Sequence, residues 1–68
     1  MTIEFKDCNG KYIKQWPNWN GVVPMVNDHV LLHFGDKNEE SVEYYVIERG
    51  FSGTDPDKVF LMIKELSA

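Results

Sequence analysis

The residues of this chain that could bind a metal are two histidines, His29 and His33, and a single cysteine, Cys8. The histidines lie four residues apart in an apolar run that predicts a β-strand, so they share a face but stand about 13 Å apart at the usual strand rise. That separation is too large for one ion, and the chain shows no CxxC motif or helical HxxxH spacing typical of zinc sites. We therefore expect solvent-facing histidines, no metal and no cofactor.

Nucleophilic catalysis would have to use Cys8, with a histidine as its base. Its neighbours are Asp7 and Asn9, and an adjacent carboxylate disfavours the thiolate that such chemistry needs. The other chemical candidate is the carboxylate run from Asp36 to Glu43, which lacks the alternating ligand pattern of a calcium-binding loop. We therefore expect this protein not to be an enzyme.

The length and composition predict one small domain over residues 1–68, with 43% hydrophobic and 13% aromatic residues. A single cysteine excludes an intramolecular disulfide and fits a reducing compartment. Met1–Lys6 has no apolar core of a signal peptide, and no apolar stretch approaches the roughly 20 residues of a membrane helix. We therefore expect a cytoplasmic protein that does not bind membranes.

The net charge of −4 is unevenly distributed along the chain. Residues 1–34 contain three acidic and three basic residues, whereas residues 35–68 contain eight acidic and four basic residues. An acidic surface gains nothing from counterion release on a phosphate backbone, so we expect no nucleic-acid binding.

A β-hairpin is predicted at the start of the chain. Thr2–Lys6 alternates apolar and polar residues, and Asn9-Gly10 is typical of the tight turn that follows such a strand. Lys11–Trp16 then predicts the returning strand, with Tyr12 and Trp16 on one face.

A second pair of strands is predicted at His29–Phe34 and Val42–Arg49, joined by a charged turn, and we place the core here. Val42–Arg49 has apolar residues on both faces, which indicates a strand that is covered on both sides or strongly bent. Val22–Val26 is apolar but contains Pro24, so we interpret it as an edge strand or an extended crossing.

The segment Lys58–Leu66 allows a strand or a helix, and we prefer the strand because Val-Phe-Leu-Met-Ile is strongly strand-forming. The resulting prediction is a mainly β fold, a small five-stranded antiparallel barrel or roll. The order of strands and turns over Val23–Leu66 resembles SH3-like barrels. This resemblance concerns architecture only and implies no function.

The aromatic residues are the best candidates for a binding surface: Tyr12, Trp16, Trp19 and Tyr44. Tyr and Trp dominate interaction hot spots because each has a large rigid surface with a polar atom. For the two tryptophans we favour a place in the core, or as a lid on the barrel end, over a binding surface, because a domain this small has few large apolar side chains to bury. We expect Trp16 at the core boundary and Trp19, which lies in a turn between two asparagines, exposed as a partner contact.

These features lead to the hypothesis of a non-enzymatic protein-interaction or regulatory module of bacterial or phage type, with an aromatic surface patch. One alternative is an acidic inhibitor that imitates nucleic-acid charge on a basic enzyme. A weaker alternative is a small-ligand binder that uses the barrel mouth. We also expect self-association through Val22–Val26 or the final strand, as exposed edges.

Overall fold

The computed structural model describes residues 1–66, which form five β-strands and contain no helix. The strands are β1 (Thr2–Lys6), β2 (Tyr12–Trp16), β3 (His29–Phe34), β4 (Glu40–Phe51) and β5 (Lys58–Glu65). They form one sheet of order β2-β1-β5-β4-β3, which is curled into a half-barrel. The prediction of a mainly β fold is confirmed. Residues 1–66 contain no helix that is long and apolar enough to cross a membrane.

The predicted β1–β2 hairpin is confirmed, and its turn is held by Asp7. The Asp7 carboxylate accepts hydrogen bonds from the backbone N–H groups of Asn9 and Lys11, at 2.8 and 2.9 Å. Of the predicted Asn9-Gly10 pair, only Gly10 has a positive φ, of 82°. Glycine suits this position because it has no Cβ to be strained there.

A β-bulge at Ile13 separates two residues that the sequence analysis placed together. The pairing of β2 with β1 shifts between Lys14 and Tyr12, so Ile13 is an extra residue in β2. The bulge reverses the alternation of side chains. Tyr12 therefore lies on the outer, convex face of the sheet and Trp16 on the inner, concave face, so the prediction that they share a face is wrong.

The final strand, β5, lies in the centre of the sheet, so the expectation that it is an exposed edge for self-association is wrong. It is antiparallel to β4 but parallel to β1, so the prediction of an antiparallel sheet is not confirmed, and neither is the resemblance to SH3-like barrels. The preference for a strand at Lys58–Leu66 is confirmed. Alternation explains it, because Val59, Leu61 and Ile63 all point inward and are fully buried.

The long strand β4 pairs with two neighbouring strands. Its first half pairs with β3 and its second half with β5, with a bulge at Ile47 between the pairs made by Val46 and Glu48. Because a bulge bends a strand and changes which face its residues occupy, it accounts for the apolar residues on both faces. The strand extends two residues beyond each end of the predicted Val42–Arg49.

The inner face carries the core, and the segment of residues 17–28 covers part of it. Within this crossing segment, Trp19 and Val23 pack against the core. The backbone N–H of Trp19 donates a hydrogen bond to the Met1 carbonyl at 2.6 Å. Val22–Val26 is not a strand, so the crossing interpretation is confirmed and the edge-strand alternative is wrong. The buried core residues are Ile3, Phe5, Val30, Leu32, Val46, Val59, Leu61 and Ile63.

Candidate interaction surface

The outer face of β1 and β5 collects charged and apolar side chains into one surface, here called the outer patch. Parallel pairing places Glu4 beside Phe60 and Lys6 beside Met62. Because the residues between them, such as Phe5, point into the core, these side chains must point outward. Tyr12 pairs with Lys6 and extends the patch onto β2. The outer patch consists of Glu4, Lys6, Tyr12, Lys58, Phe60 and Met62.

Glu4 holds the two lysines of the outer patch in place. Its carboxylate lies 2.8 Å from the Lys58 ammonium and 3.5 Å from the Lys6 ammonium, and its side chain is only 14% exposed. The hydrogen bond from Lys58 lowers the pKa of Glu4, against the opposing effect of desolvation. The same bond raises the pKa of Lys58. Glu4 is therefore ionised near neutral pH and compensates much of the positive charge of both lysines.

Phe60 is the aromatic centre of the outer patch. The Lys6 ammonium lies 4.5 Å from its ring centroid and the Lys58 ammonium lies 5.7 Å away. Both distances are within the range of a cation–π interaction. The lysines are thus fixed both by Glu4 and by the ring, and the ring is only half-buried.

A groove opens over Phe60 because its partner on β4 is Gly50. A Cβ built at Gly50 would lie 3.9 Å from Phe60 Cδ2, so any other residue would place a side chain against this ring. The cavity is about 280 Å³, slightly below the range of roughly 300–1,000 Å³ typical of small-molecule sites. This Phe60 groove has room for one or two side chains of a partner. It is lined by Lys6, Gly10, Glu48, Gly50, Phe60 and Met62.

The structure separates the four predicted binding residues. Tyr12 is 55% exposed and belongs to the outer patch. Trp16 and Trp19 stack on each other with ring centroids 4.5 Å apart, and both pack against the core. Trp16 therefore lies at the core boundary, as predicted. The expectation that Trp19 stands free on the surface is wrong.

Tyr44 lies on the inner side of the sheet, opposite Val30. It packs against the core, and burial, followed by the nearby Glu65 carboxylate, raises the pKa of its phenol. It is thus not continuous with Tyr12. A contact between Tyr44 and a partner stays a prediction.

Neither Gly50 nor Phe60 is among the site residues predicted from the sequence. The alternation of β5 contains a signal for Phe60, because a strand that buries Val59 and Leu61 must turn Phe60 to the other face. No comparable signal exists for Gly50, which reads as the start of a loop. Its role depends on the pairing register of β4 with β5.

The histidines and the cysteine are exposed on other parts of the surface. His29 and His33 are exposed on β3, as predicted, and His29 Nδ1 lies 3.5 Å from the Glu43 carboxylate. Cys8 is a free, exposed thiol in the hairpin turn. Across residues 1–66, no group of three or more His, Cys, Asp or Glu side chains is placed to hold a metal ion.

Comparison with known proteins assigns no role to these residues. No family model, no curated protein and no solved structure matches the chain. The surfaces that remain to indicate a function are the outer patch, the Phe60 groove and the edges of the sheet.

Proposed function

We propose that this chain is a non-enzymatic protein-interaction module that receives an apolar side chain of its partner in the Phe60 groove. The observation that carries the proposal is the pairing of Gly50 with Phe60, which leaves the half-buried Phe60 ring without a neighbouring side chain on β4. Tyr12, with its exposed ring, provides a further contact on the same face.

The charge distribution around the groove supports a protein partner. Hot spots combine an apolar centre with a polar rim that excludes water. Here Phe60 and Met62 supply the apolar centre, while Lys6 and Glu48 supply the rim. Because Glu4 already pairs with Lys6, an inserted apolar side chain would not bury the Lys6 ammonium as an isolated charge, which is the main cost of such an insertion. Glu48, the other charged residue of the rim, is exposed to solvent.

The matched pair of variants that tests this proposal is Gly50→Val and Gly53→Val. Neither glycine has a positive φ, so valine is compatible with both backbone positions. A side chain at Gly50 enters the groove, whereas nothing lies within 4 Å of a Cβ at Gly53. Thermal unfolding followed by circular dichroism checks that both variants fold.

The binding experiment uses peptides selected on the immobilised protein from a random phage-displayed library. We expect selected peptides to share an apolar anchor residue. Fluorescence anisotropy should show Gly50→Val weakening their binding by about tenfold or more, corresponding to about 1.4 kcal/mol, with Gly53→Val unchanged. Failure to select such peptides, or equal binding to wild type and Gly50→Val, would contradict the proposal.

The acidic-inhibitor alternative is favoured by one observation. Residues 28–43 contain five carboxylates and one lysine, so this region carries the net charge of the whole chain, −4. A partner bound through charge mimicry should dissociate as salt rises from 0.1 to 1 M, where the Debye length falls from about 10 to about 3 Å. A partner bound in the Phe60 groove should resist the same increase.

A further inference from the structure

Strand β3 lies at one end of the sheet and leaves one of its edges free. The direction of its backbone groups follows from two hydrogen bonds: Val46 N–H donates to the Asp28 carbonyl, and Leu66 N–H donates to the Glu43 carbonyl. The first bond shows that Asp28 and the even-numbered residues of β3 direct their backbone groups toward β4. The second bond shows that the backbone carbonyl of Glu43 points toward β5. Since hydrogen bonding alternates along an antiparallel ladder, the N–H and C=O groups of His29, Leu31 and His33 point away from the sheet.

Most of these free-edge groups have no partner. Among residues 1–66, these free-edge groups take part in one hydrogen bond, which the Lys14 ammonium donates to the His33 carbonyl. A row of unpaired N–H and C=O groups can template the addition of another strand. The edge thus offers three donors and two further acceptors, which is enough for a short ladder.

Side chains do little to protect this edge. Natural edge strands are usually blunted by lysine, proline or a bulge, and none of these occurs within β3 itself. Leu31 in its middle is 51% exposed. The residue that does reach the edge is Lys14, from the opposite end of the sheet.

The charge around β3 indicates the chemistry of the added strand. Residues 28–43, which include β3 and the turn after it, hold five carboxylates against one lysine. Glu43 lies directly opposite Leu31. A second copy of this chain would bring the same acidic region against itself, whereas a basic segment would be attracted by it.

We propose that the free edge of β3 binds an extended basic segment of a partner protein as an added strand, with the segment displacing Lys14 from the His33 carbonyl. This proposal is independent of the Phe60 groove, which lies on the outer face of β1, β4 and β5. Backbone hydrogen bonds supply affinity, and the acidic surroundings select the charge of the segment.

The probe is a fluorescein-labelled seven-residue peptide of alternating lysine and valine, measured by anisotropy against the full chain. Two matched peptides separate the contributions: one has N-methyl groups on alternate backbone amides, and one has glutamate in place of lysine. We expect the first peptide to bind and both others to lose about tenfold or more in affinity. Equal binding of the N-methylated peptide would show charge attraction without strand pairing and would overturn the proposal.

The protein variants are Leu31→Pro and its control, Leu31→Thr. Proline removes a free-edge N–H that β3 does not use for pairing with β4, and proline is tolerated in this position of edge strands; threonine keeps the N–H. We expect Leu31→Pro to weaken the probe peptide by about tenfold and Leu31→Thr and Gly50→Val to bind it like wild type. If Leu31→Pro does not fold, the proposal is tested by the difference in affinity between the N-methylated peptide and the unmodified lysine–valine peptide. A dimer in sedimentation equilibrium that Leu31→Pro abolishes would assign the edge to a second copy and overturn the proposal.

Discussion

Lys14 of β2 and Phe34 of β3 meet across the open side of the half-barrel, with the ammonium 5.2 Å from the ring centroid. Their strands are the two ends of the sheet order. Lys14 also donates a hydrogen bond to the carbonyl of His33. The two edges are therefore bridged by one side chain, without a backbone ladder between them.

The bridge predicts different effects of two substitutions at Lys14. Lys14→Ala loses the cation–π contact, the hydrogen bond and the packing of the aliphatic stem, and should lower the free energy of unfolding by about 1–2 kcal/mol. Lys14→Met keeps most of the stem and should cost less, about 1 kcal/mol. Urea denaturation measures both. Equal stability of Lys14→Ala and wild type would mean that the bridge does not hold the edges together.

The stacked tryptophans predict that both rings stabilise the fold. Trp16→Ala should lower the free energy of unfolding by about 3 kcal/mol, because the ring packs on Phe5 and on Trp19. The sequence interpretation expects Trp19→Ala to cost at most about 1 kcal/mol. The structure instead predicts about 2 kcal/mol, because Trp19 is half-buried and its indole N–H donates to the Val22 carbonyl at 3.2 Å. Chemical denaturation of the two variants distinguishes these values.

Gly21 is predicted to be intolerant of a methyl group. A Cβ at Gly21 would lie 2.9 Å from Trp19 Cζ2, and the ring cannot retreat freely because it stacks on Trp16. Gly21→Ala should cost about 1 kcal/mol or more through this overpacking. Gly53→Ala, where space is open, is the control and should keep the wild-type thermal midpoint. A Gly21→Ala protein as stable as wild type would contradict the placement of Trp19.

The ion pair between Glu4 and Lys58 predicts a pH-dependent stability difference between wild type and Glu4→Gln. The pKa of Glu4 is lowered from 4.5 in the folded protein, so its contribution is present above its unfolded value and is lost as pH falls through the folded one. At pH 7 the variant should be less stable by about 1 kcal/mol. The difference should shrink below pH 4.5 and disappear at lower pH. A difference that is the same at pH 7 and pH 3 would show that Glu4 acts through packing.

The sequence by itself determined that the fold is mainly β and where four of its strands lie, and it favoured a strand over a helix at Lys58–Leu66. Alternation along Thr2–Lys6 and along β5 marks which residues point inward, because neighbouring side chains in a strand must face opposite sides. Pro24 similarly excluded a central strand in the crossing segment, since proline cannot donate to a ladder. These constraints act between residues that are close in the sequence, so they can be identified from one sequence alone.

Only the tertiary structure decided which strands pair, in which direction and with what register. The parallel pairing of β1 with β5 joins residues more than fifty positions apart, and the bulge at Ile13 moves Tyr12 to the face opposite Trp16. The Phe60 groove exists because Gly50 falls opposite Phe60 in the ladder. A shift of one residue in register would move every following side chain to the other face. The surface features depend on that long-range register, whereas the strands themselves depend on local alternation.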